Sequence, residues 1–355
     1  MIISGTTYSD LVISSEVEKS PLFVLYDTNV SWIAEEIIAA LGSGVKGAVA
    51  IDASEAGKNM DTVLLICRSM MEAGLSRNAL VLCVGGGITS DIGGFAASIY
   101  KRGVRYATVP TTLLSQVDAG IGGKNGVNFL GYKNMLGTIV QPMFTYICAE
   151  ALKTLPRREF LCGAAEMLKT FMIADAALYR RAVEVLISCA KTGGFAYGIQ
   201  DLIIKAAEIK AGIVEEDPYE HGRRAVLNLG HTFAHAIEHL AAEKGDDIAH
   251  GEAVSMGIVL AARLSDSLFA PGSKCFVGRK KALRNTSPLR QAVAADFAAI
   301  GLPTECPYAL KELVPAMEKD KKSTGAGVKF VLLEAPGKPY FKEMTPQEAI
   351  DAIDR

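Results

Sequence analysis

Every histidine of the 355-residue chain, His221, His231, His235, His239 and His250, falls within one 30-residue stretch. In HTFAHAIEH the residues His231, His235 and His239 recur every four positions, so on a helix they stand one turn apart along one face. HGEAV adds His250 a few residues further on. A borderline-soft divalent cation takes imidazole and carboxylate ligands together, and a catalytic zinc site uses three protein ligands and keeps one position open. The stretch therefore reads as a metal site, with the i, i+4 pair as the first candidate ligands. A polar helix face on which histidines cluster is the alternative reading of an HxxxH pair.

A second feature with chemical content is Gly85-Gly86-Gly87, which follows the apolar run ALVLCV and precedes a helical pattern around Ile92 to Tyr100. A strand that ends in glycines and runs into a helix presents main-chain N–H groups at a helix N-terminus, where they suit a pyrophosphate. GGGITSD is not GxGxxG, and its place after the third strand differs from the usual first turn, so a plain tight turn is the competing reading. Asp27 and Asn29 close the first strand, and Glu55 and Lys58 follow the second. All four fall at the carboxyl edge of a parallel sheet, where ligands bind.

The elements that must position these groups are legible from periodicity. PLFVLYD (21 to 27), GAVAID (47 to 52) and ALVLCV (79 to 84) read as strands, while Val30, Ile33, Ile37, Ile38 and Leu41, then Met60, Val63, Leu64, Cys67 and Met71, repeat at helical spacing. Such βαβα alternation predicts a Rossmann-like α/β N-terminal domain with a parallel sheet over residues 1 to 150. From 151 to 355 the pattern predicts an all-α C-terminal domain, with helical segments near 157 to 190, 199 to 216, 229 to 244, 251 to 268 and 288 to 300. The one weak strand signal there is VKFVLLE (328 to 334), and the polar stretch 271 to 288 reads as a mobile connection.

Composition narrows the function classes. With 50% hydrophobic and 21% charged residues the chain can bury a sizeable core, and a net charge of −2 offers no bulk attraction to nucleic acid or to an anionic membrane. An anionic ligand must therefore be held by locally gathered Lys and Arg. The 7 cysteines are scattered and never form CxxC, which argues for reduced thiols rather than a disulfide frame. MIISGTTYSDLVISSEVEKS lacks the basic start and continuous apolar core of a signal peptide, so a cytoplasmic location is expected.

Six segments, GGGITSDIGGFAASIYKRG, VPTTLLSQVDAGIGGKNGVN, YKNMLGTIVQP, GAAEMLK, RRAVLNLGHTFAHAIEH and HGEAV, resemble in order and spacing the 3-dehydroquinate synthase family of sugar phosphate cyclases. The resemblance covers most of residues 85 to 255. It implies a Rossmann-like domain followed by a helical domain, with NAD and a divalent metal, zinc or else cobalt, as cofactors. It also implies a homodimer acting on a small phosphorylated keto acid in the shikimate pathway, with no nucleic-acid or membrane partner.

Carried over position by position, the resemblance makes Glu166, His231 and His250 the metal ligands. His235 moves from ligand to acid/base or phosphate-contact residue, and His221 and His239 become incidental. NAD would be held by Asp27, Asn29, Glu55, Lys58, Gly85, Gly86, Gly87, Ser90, Asp91, Thr111, Thr112, Lys124, Lys133 and the segment Ala151, Leu152, Lys153 and Thr154. Substrate would be held by Arg102, Asp118, Lys124, Asn134, Lys169, Lys210, Arg224, Asn228 and Lys321 of the DKK triplet.

Four positions depart from the family pattern: Ser90 in the glycine loop, Asn125 after the GGK lysine, and Thr170 and Phe171 after Lys169. They bear on substrate choice, since relatives of the same fold cyclise other sugar phosphates. A metal-dependent, NAD-linked polyol dehydrogenase of the same plan is a further alternative, but it has no reason to gather Lys124, Lys169, Lys210 and Arg224 for a substrate with two anionic groups. A binding protein without catalysis would need neither acid/base nor substrate residues.

Overall fold

Both faces of the central strands are apolar because helices cover both. The computed structural model describes residues 1–13, 17, 20–192, 196–269, 288–320 and 327–354. Lys321, Cys275 and the stretch 271–288 apart from Pro288 lie outside the described residues. The chain divides into two compact units, Met1–Gly163 with Tyr197–Tyr219, and Ala164–Ala196 with Glu220–Arg355.

The first unit is built on strands β1 (Ile2–Ser4), β2 (Leu22–Asp27), β3 (Val45–Ile51), β4 (Leu80–Gly85), β5 (Arg105–Pro110) and β8 (Thr145–Ile147). They form one six-stranded sheet in the order β1-β8-β5-β4-β2-β3, and every pairing is parallel. Successive side chains of a strand point to opposite faces, so a sheet covered on both sides needs near-continuous apolar runs. Phe23, Leu25, Val81 and Cys83 accordingly pack against Val63, Ile66 and Met70 of helix α2 (Met60–Glu72) and Ile92 and Phe95 of α3 (Gly87–Ile99). Their neighbours Leu22, Val24, Leu80, Leu82 and Val84 face the other way, onto Ile33, Ala34 and Ile37 of α1 (Ser31–Leu41).

Strand order decides where this unit can bind a ligand. From β2 the chain goes to β3 on one side and then to β4 on the other, so the crossovers diverge between β2 and β4 and leave a crevice outside their carboxyl ends. Those ends are Asp27 and Gly85. A separate antiparallel hairpin, β6 (Lys124–Phe129) and β7 (Tyr132–Ile139), also belongs to this unit and packs on α3.

The periodic run near 157 to 190 is two helices, α4 (Arg157–Ala174) and α5 (Ala176–Thr192). Asp175 separates them, its Oδ1 accepting the main-chain N–H groups of Ala177 and Leu178 at 2.7 and 3.0 Å, which is an N-cap for the second helix. Helix α6 (Ile199–Glu216) belongs to the sheet-containing unit. The second unit continues with α7 (His231–Lys244), α8 (His250–Phe269), α9 (Leu289–Ile300), α10 (Leu310–Asp320) and α11 (Pro346–Ile353). It is mostly helical, and the strand signal at 328 to 334 is one arm of an antiparallel hairpin, β9 (Val328–Ala335) with β10 (Lys338–Met344). Among the described residues no helix is long and apolar enough to cross a membrane, and six cysteines are free thiols.

Candidate active site

In the second unit the ligand atoms of Glu166, His231 and His250 all lie within 4.8 Å of one another. Three elements bring them together. Glu166 is fully buried on α4, His231 is the first residue of α7, and His250 is the first residue of α8. The approach of α7 to α8 depends on glycine, because a Cβ on Gly257 would strike the carbonyl of Gly230 and a Cβ on Gly230 (φ 79°) would come within 2.7 Å of Ile258.

Glu166 Oε1 faces Nε2 of His231 at 3.5 Å and Nε2 of His250 at 3.3 Å, while Oε2 pairs with the ammonium of Lys169 one turn on. Neither carboxylate oxygen makes a hydrogen bond of good geometry. Ligands at about 2.0–2.1 Å around a tetrahedral zinc stand about 3.4 Å from one another, so these spacings match the edges of such a site. Burial alone would raise the Glu166 pKa, but Lys169, then His231 and His250, hold it well below the usual carboxylate range. Burial, with Lys169, pushes His231 down to about 3, which keeps its ring neutral. Burial acts the same way on His250, yet the Glu166 and Glu238 carboxylates, one at each ring nitrogen, outweigh it and lift that ring to about 10. An ionised carboxylate, a neutral imidazole and a point that draws positive charge together fit a divalent cation.

His235 lies one turn beyond His231, with ring centroids 5.5 Å apart, and is exposed. His239 contacts Glu243 and Lys319 at the surface, and His221 is exposed. Arg224 is buried, and Asn228 donates to Glu220 at 2.8 Å.

In the first unit the residues expected to hold NAD collect at the carboxyl edge of the sheet. Asp27 Oδ1 accepts from the main chain and the amide of Asn29 at 2.9 and 3.0 Å. Gly86 is the N-cap of α3 and offers no side-chain cap, and the buried Thr89 hydroxyl in the first turn has no hydrogen-bond partner. Free amides at a helix N-terminus with glycine at the cap fit a phosphate. The three glycines differ: a Cβ on Gly85 would collide with Thr89 and one on Gly87 would lie 2.9 Å from Ala119, whereas at Gly86 it would meet only the Thr112 side chain, at 3.2 Å and beyond.

Lys58 is buried beside this turn and donates to both Asp91 Oδ2 and Asn134 Oδ1 at 2.6 Å. Asn134, expected as a substrate residue, therefore sits within the cluster expected to hold the cofactor. Glu55 accepts from Asn128 at 2.8 Å, and Asn128 in turn accepts the N–H of Asn134. Thr111 donates its N–H to Gly85, and Thr112 bonds Ser115 at the start of a single π-helical turn, Ser115–Ala119, that carries Asp118. Asp118 accepts from Lys210 at 2.6 Å, and at Asp91, whose carboxyl burial raises, the Lys210 charge is close enough to join Lys58 in opposing that rise.

Other expected residues join less closely. Lys124 and Lys133 are exposed on the β6–β7 hairpin, Ala151 and Leu152 are buried in a 3-10 turn, Lys153 pairs with Glu150 at 3.0 Å, and the Thr154 hydroxyl bonds Ala151. Arg102 lies beyond the C-terminal end of the 13-residue α3, about 20 Å along the helix from the glycine turn.

The 3-dehydroquinate synthase N-terminal family profile matches residues 48–162, and the C-terminal profile of the same family matches residues 163–323. A 3-dehydroquinate synthase of Pyrococcus abyssi is 39% identical over 319 residues, covering 90% of this chain and 87% of its own length. That of Pyrococcus furiosus is 37% identical, with 94% and 93% covered. The chain belongs to the 3-dehydroquinate synthase family. Among solved structures, 2-epi-5-epi-valiolone synthase from Streptomyces hygroscopicus, which has NAD+ and Zn2+ bound, superposes with a TM-score of 0.82 at 27% identity over 99% of this chain and 95% of its own.

Against the 3-dehydroquinate synthase pattern, the departures are absorbed by packing. Asn125 is buried, accepts from the Tyr106 hydroxyl at 3.2 Å and donates to Val140 at 3.0 Å. Ser90 bonds back to Gly86 at 3.3 Å, and Thr170 and Phe171 are buried on α4. Sequence reasoning missed Glu238, which contacts His250. Its signal was position, since Glu238 falls two turns after His231 on the same helix face.

Proposed function

We propose that this protein is a 3-dehydroquinate synthase. It converts 3-deoxy-arabino-heptulosonate 7-phosphate to 3-dehydroquinate and inorganic phosphate by transient oxidation, phosphate elimination, re-reduction and intramolecular aldol closure. The observation that carries the reading is that Lys169 and Glu166 share one turn of α4, so an ammonium for an anionic substrate stands directly at the metal-type cluster. A polyol dehydrogenase would need the ligands without that cation.

When bound, NAD supplies a reversible hydride acceptor and the divalent cation, zinc or cobalt, a Lewis acid. The main-chain amides at Gly86 and Gly87 hold the cofactor phosphates, with Asp27, Asn29, Glu55, Lys58, Ser90, Asp91, Thr111, Thr112, Lys133 and 151 to 154 along the same edge. Glu166, His231 and His250 hold the cation. Lys124, Lys169, Lys210 and Arg224 hold the carboxylate and phosphate, with Asn134, Asn228, Arg102 and Lys321 as further contacts and Arg224 able to grip an oxyanion with two N–H groups. Asp118 fixes the Lys210 ammonium, and the His235 imidazole carries a proton to or from the substrate.

In this reading residues 1 to 150 bind NAD and 151 to 355 bind metal and substrate, with Arg102, Asp118, Lys124 and Asn134 of the first part also serving the substrate and 151 to 154 of the second also serving NAD. The enzyme works in the cytoplasm as a homodimer, with no nucleic-acid or membrane partner. Exposed apolar side chains on the β6–β7 hairpin, with Leu130 81% and Tyr132 66% exposed, support the dimer.

The test is incubation with the heptulosonate, catalytic NAD+ and zinc or cobalt. Phosphate should be released with a carbocycle and no accumulating NADH absorbance, because the hydride returns within the turnover. Steady NADH formation from a simple polyol without phosphate release would identify a dehydrogenase. The 27% identical valiolone-type synthase favours one rival, cyclisation of a different sugar phosphate, which turnover of that substrate in preference to the heptulosonate would establish.

A further inference from the structure

We infer that Glu238 is a positioning residue for the metal site: its carboxylate holds His250 through Nδ1 and so turns Nε2 toward Glu166. The inference rests on the reading of Glu166, His231 and His250 as ligands, and extends it to a side chain that acts through one of them. Glu238 Oε1 lies 3.3 Å from Nδ1 of His250, while Nε2 of the same ring lies 3.3 Å from Glu166 Oε1. The ring is thus held between two carboxylates, one at each nitrogen.

A neutral imidazole carries one N–H, and an acceptor at Nδ1 places the proton there and leaves the Nε2 lone pair for a cation. His231 shows the same arrangement with a different acceptor, its Nδ1 lying 3.3 Å from the carbonyl of Leu229. A carboxylate acceptor makes the ring a stronger donor than a carbonyl does. The two histidines are therefore unequal, and only the His250 support is a side chain. Helix geometry explains its placement. Seven residues make two turns less about 20°, so His231 and Glu238 share one face of α7, and His250 at the start of α8 lies against that face.

The competing role for Glu238 is a tie between α7 and α8 with no influence on the cation. Full-length wild type, Glu238→Gln, Glu238→Leu and His250→Ala, freed of metal by chelation, are titrated with zinc against a chromophoric chelator. Cobalt absorption is recorded, and melting temperatures are measured with and without metal. Gln keeps the shape and one acceptor oxygen but not the charge. Zinc affinity should fall in the order wild type, Gln, Leu, with a loss of roughly 10- to 100-fold at the end of the series. The cobalt bands should shift, and the melting temperature of the metal-free proteins should hold. Wild-type affinity in both Glu238 variants, beside its loss in His250→Ala, would overturn the inference and leave the ligands standing. Equal zinc affinity in wild type and His250→Ala would overturn the ligand reading and the inference with it. A drop in metal-free stability at unchanged affinity would mark Glu238 as a helix tie only. Should the Leu variant fail to fold, the isosteric Gln variant decides.

Discussion

Lys210 and Asp118 stand 92 residues apart in the chain, yet the lysine ammonium contacts both the carboxylate of Asp118, at 2.6 Å, and its main-chain carbonyl, at 2.8 Å. The ammonium is largely buried and the carboxylate partly so, so the contact fixes a cation within the sheet-containing unit as well as joining α6 to it.

Lys210→Met should cost about 2 kcal/mol of stability, the worth of a hydrogen bond to a charged group together with the desolvated carboxylate left behind. Adding Asp118→Asn should recover much of that loss without recovering activity. Urea unfolding and phosphate release measured on the single and double variants separate the two effects, and full activity in the double variant would rule out a substrate role for Lys210.

Glu166→Gln, His231→Ala and His250→Ala should each lower bound zinc and activity together, and a chelator should reproduce the loss in wild type, reversibly with zinc or cobalt. Metal analysis beside the activity assay checks this. A metal-free His250→Ala enzyme of undiminished activity would remove the assignment.

At the glycine turn the space differs from one residue to the next. Gly86→Ala places a methyl group against a single threonine side chain at a φ of −76°, which any residue adopts, so the variant should fold with near wild-type stability. NAD affinity by calorimetry should fall several-fold or more, while zinc affinity holds. Gly85→Ala meets Thr89 and should lose stability as well. Unchanged NAD binding in Gly86→Ala would make the turn purely structural.

Burial raises the Asp91 carboxyl from 3.8 to about 6 against the pull of Lys58. Between those values the folded protein keeps a proton that the unfolded chain has released, so the contribution to stability is fully present below 3.8 and lost as pH rises through about 6. The interval corresponds to on the order of 3 kcal/mol. Unfolding midpoints of the metal-free, NAD-free protein should show wild type losing stability relative to Asp91→Asn across that window. A difference that does not vary with pH would contradict the account.

The sheet was readable because double-sided burial leaves continuous apolar runs such as ALVLCV, bounded by glycine. The division of 157 to 190 at Asp175 carried a signal too, an Asp ahead of Ala-Ala-Leu. Strand β7 carried almost none, being exposed at most positions and so lacking alternation. Periodicity shows that α6 has a buried face but not what it packs on, and for that reason its place beside the sheet was not legible. In the site, His231 stood out by its spacing from His235 and His239, which pointed to the i, i+4 pair as ligands, whereas Glu166 and His250 come from other helices and were assigned as ligands only through the family motifs GAAEMLK and HGEAV. Glu238 was overlooked because its place two turns after His231 becomes informative only once His231 is taken as a ligand.

The chain leaves its first unit after Gly163, returns at Tyr197 and leaves again after Tyr219. A chimaera that joins the N-terminal half of this enzyme to the C-terminal half of a relative at Gly163, where the two family profiles meet, would therefore give its sheet a foreign α6 and place one parent's Asp118 opposite the other parent's lysine. A faithful exchange has to swap two interleaved stretches. On the ribosome, likewise, the sheet cannot acquire Lys210 until residues 164 to 196 of the second unit have already been made, although the rest of that unit comes later.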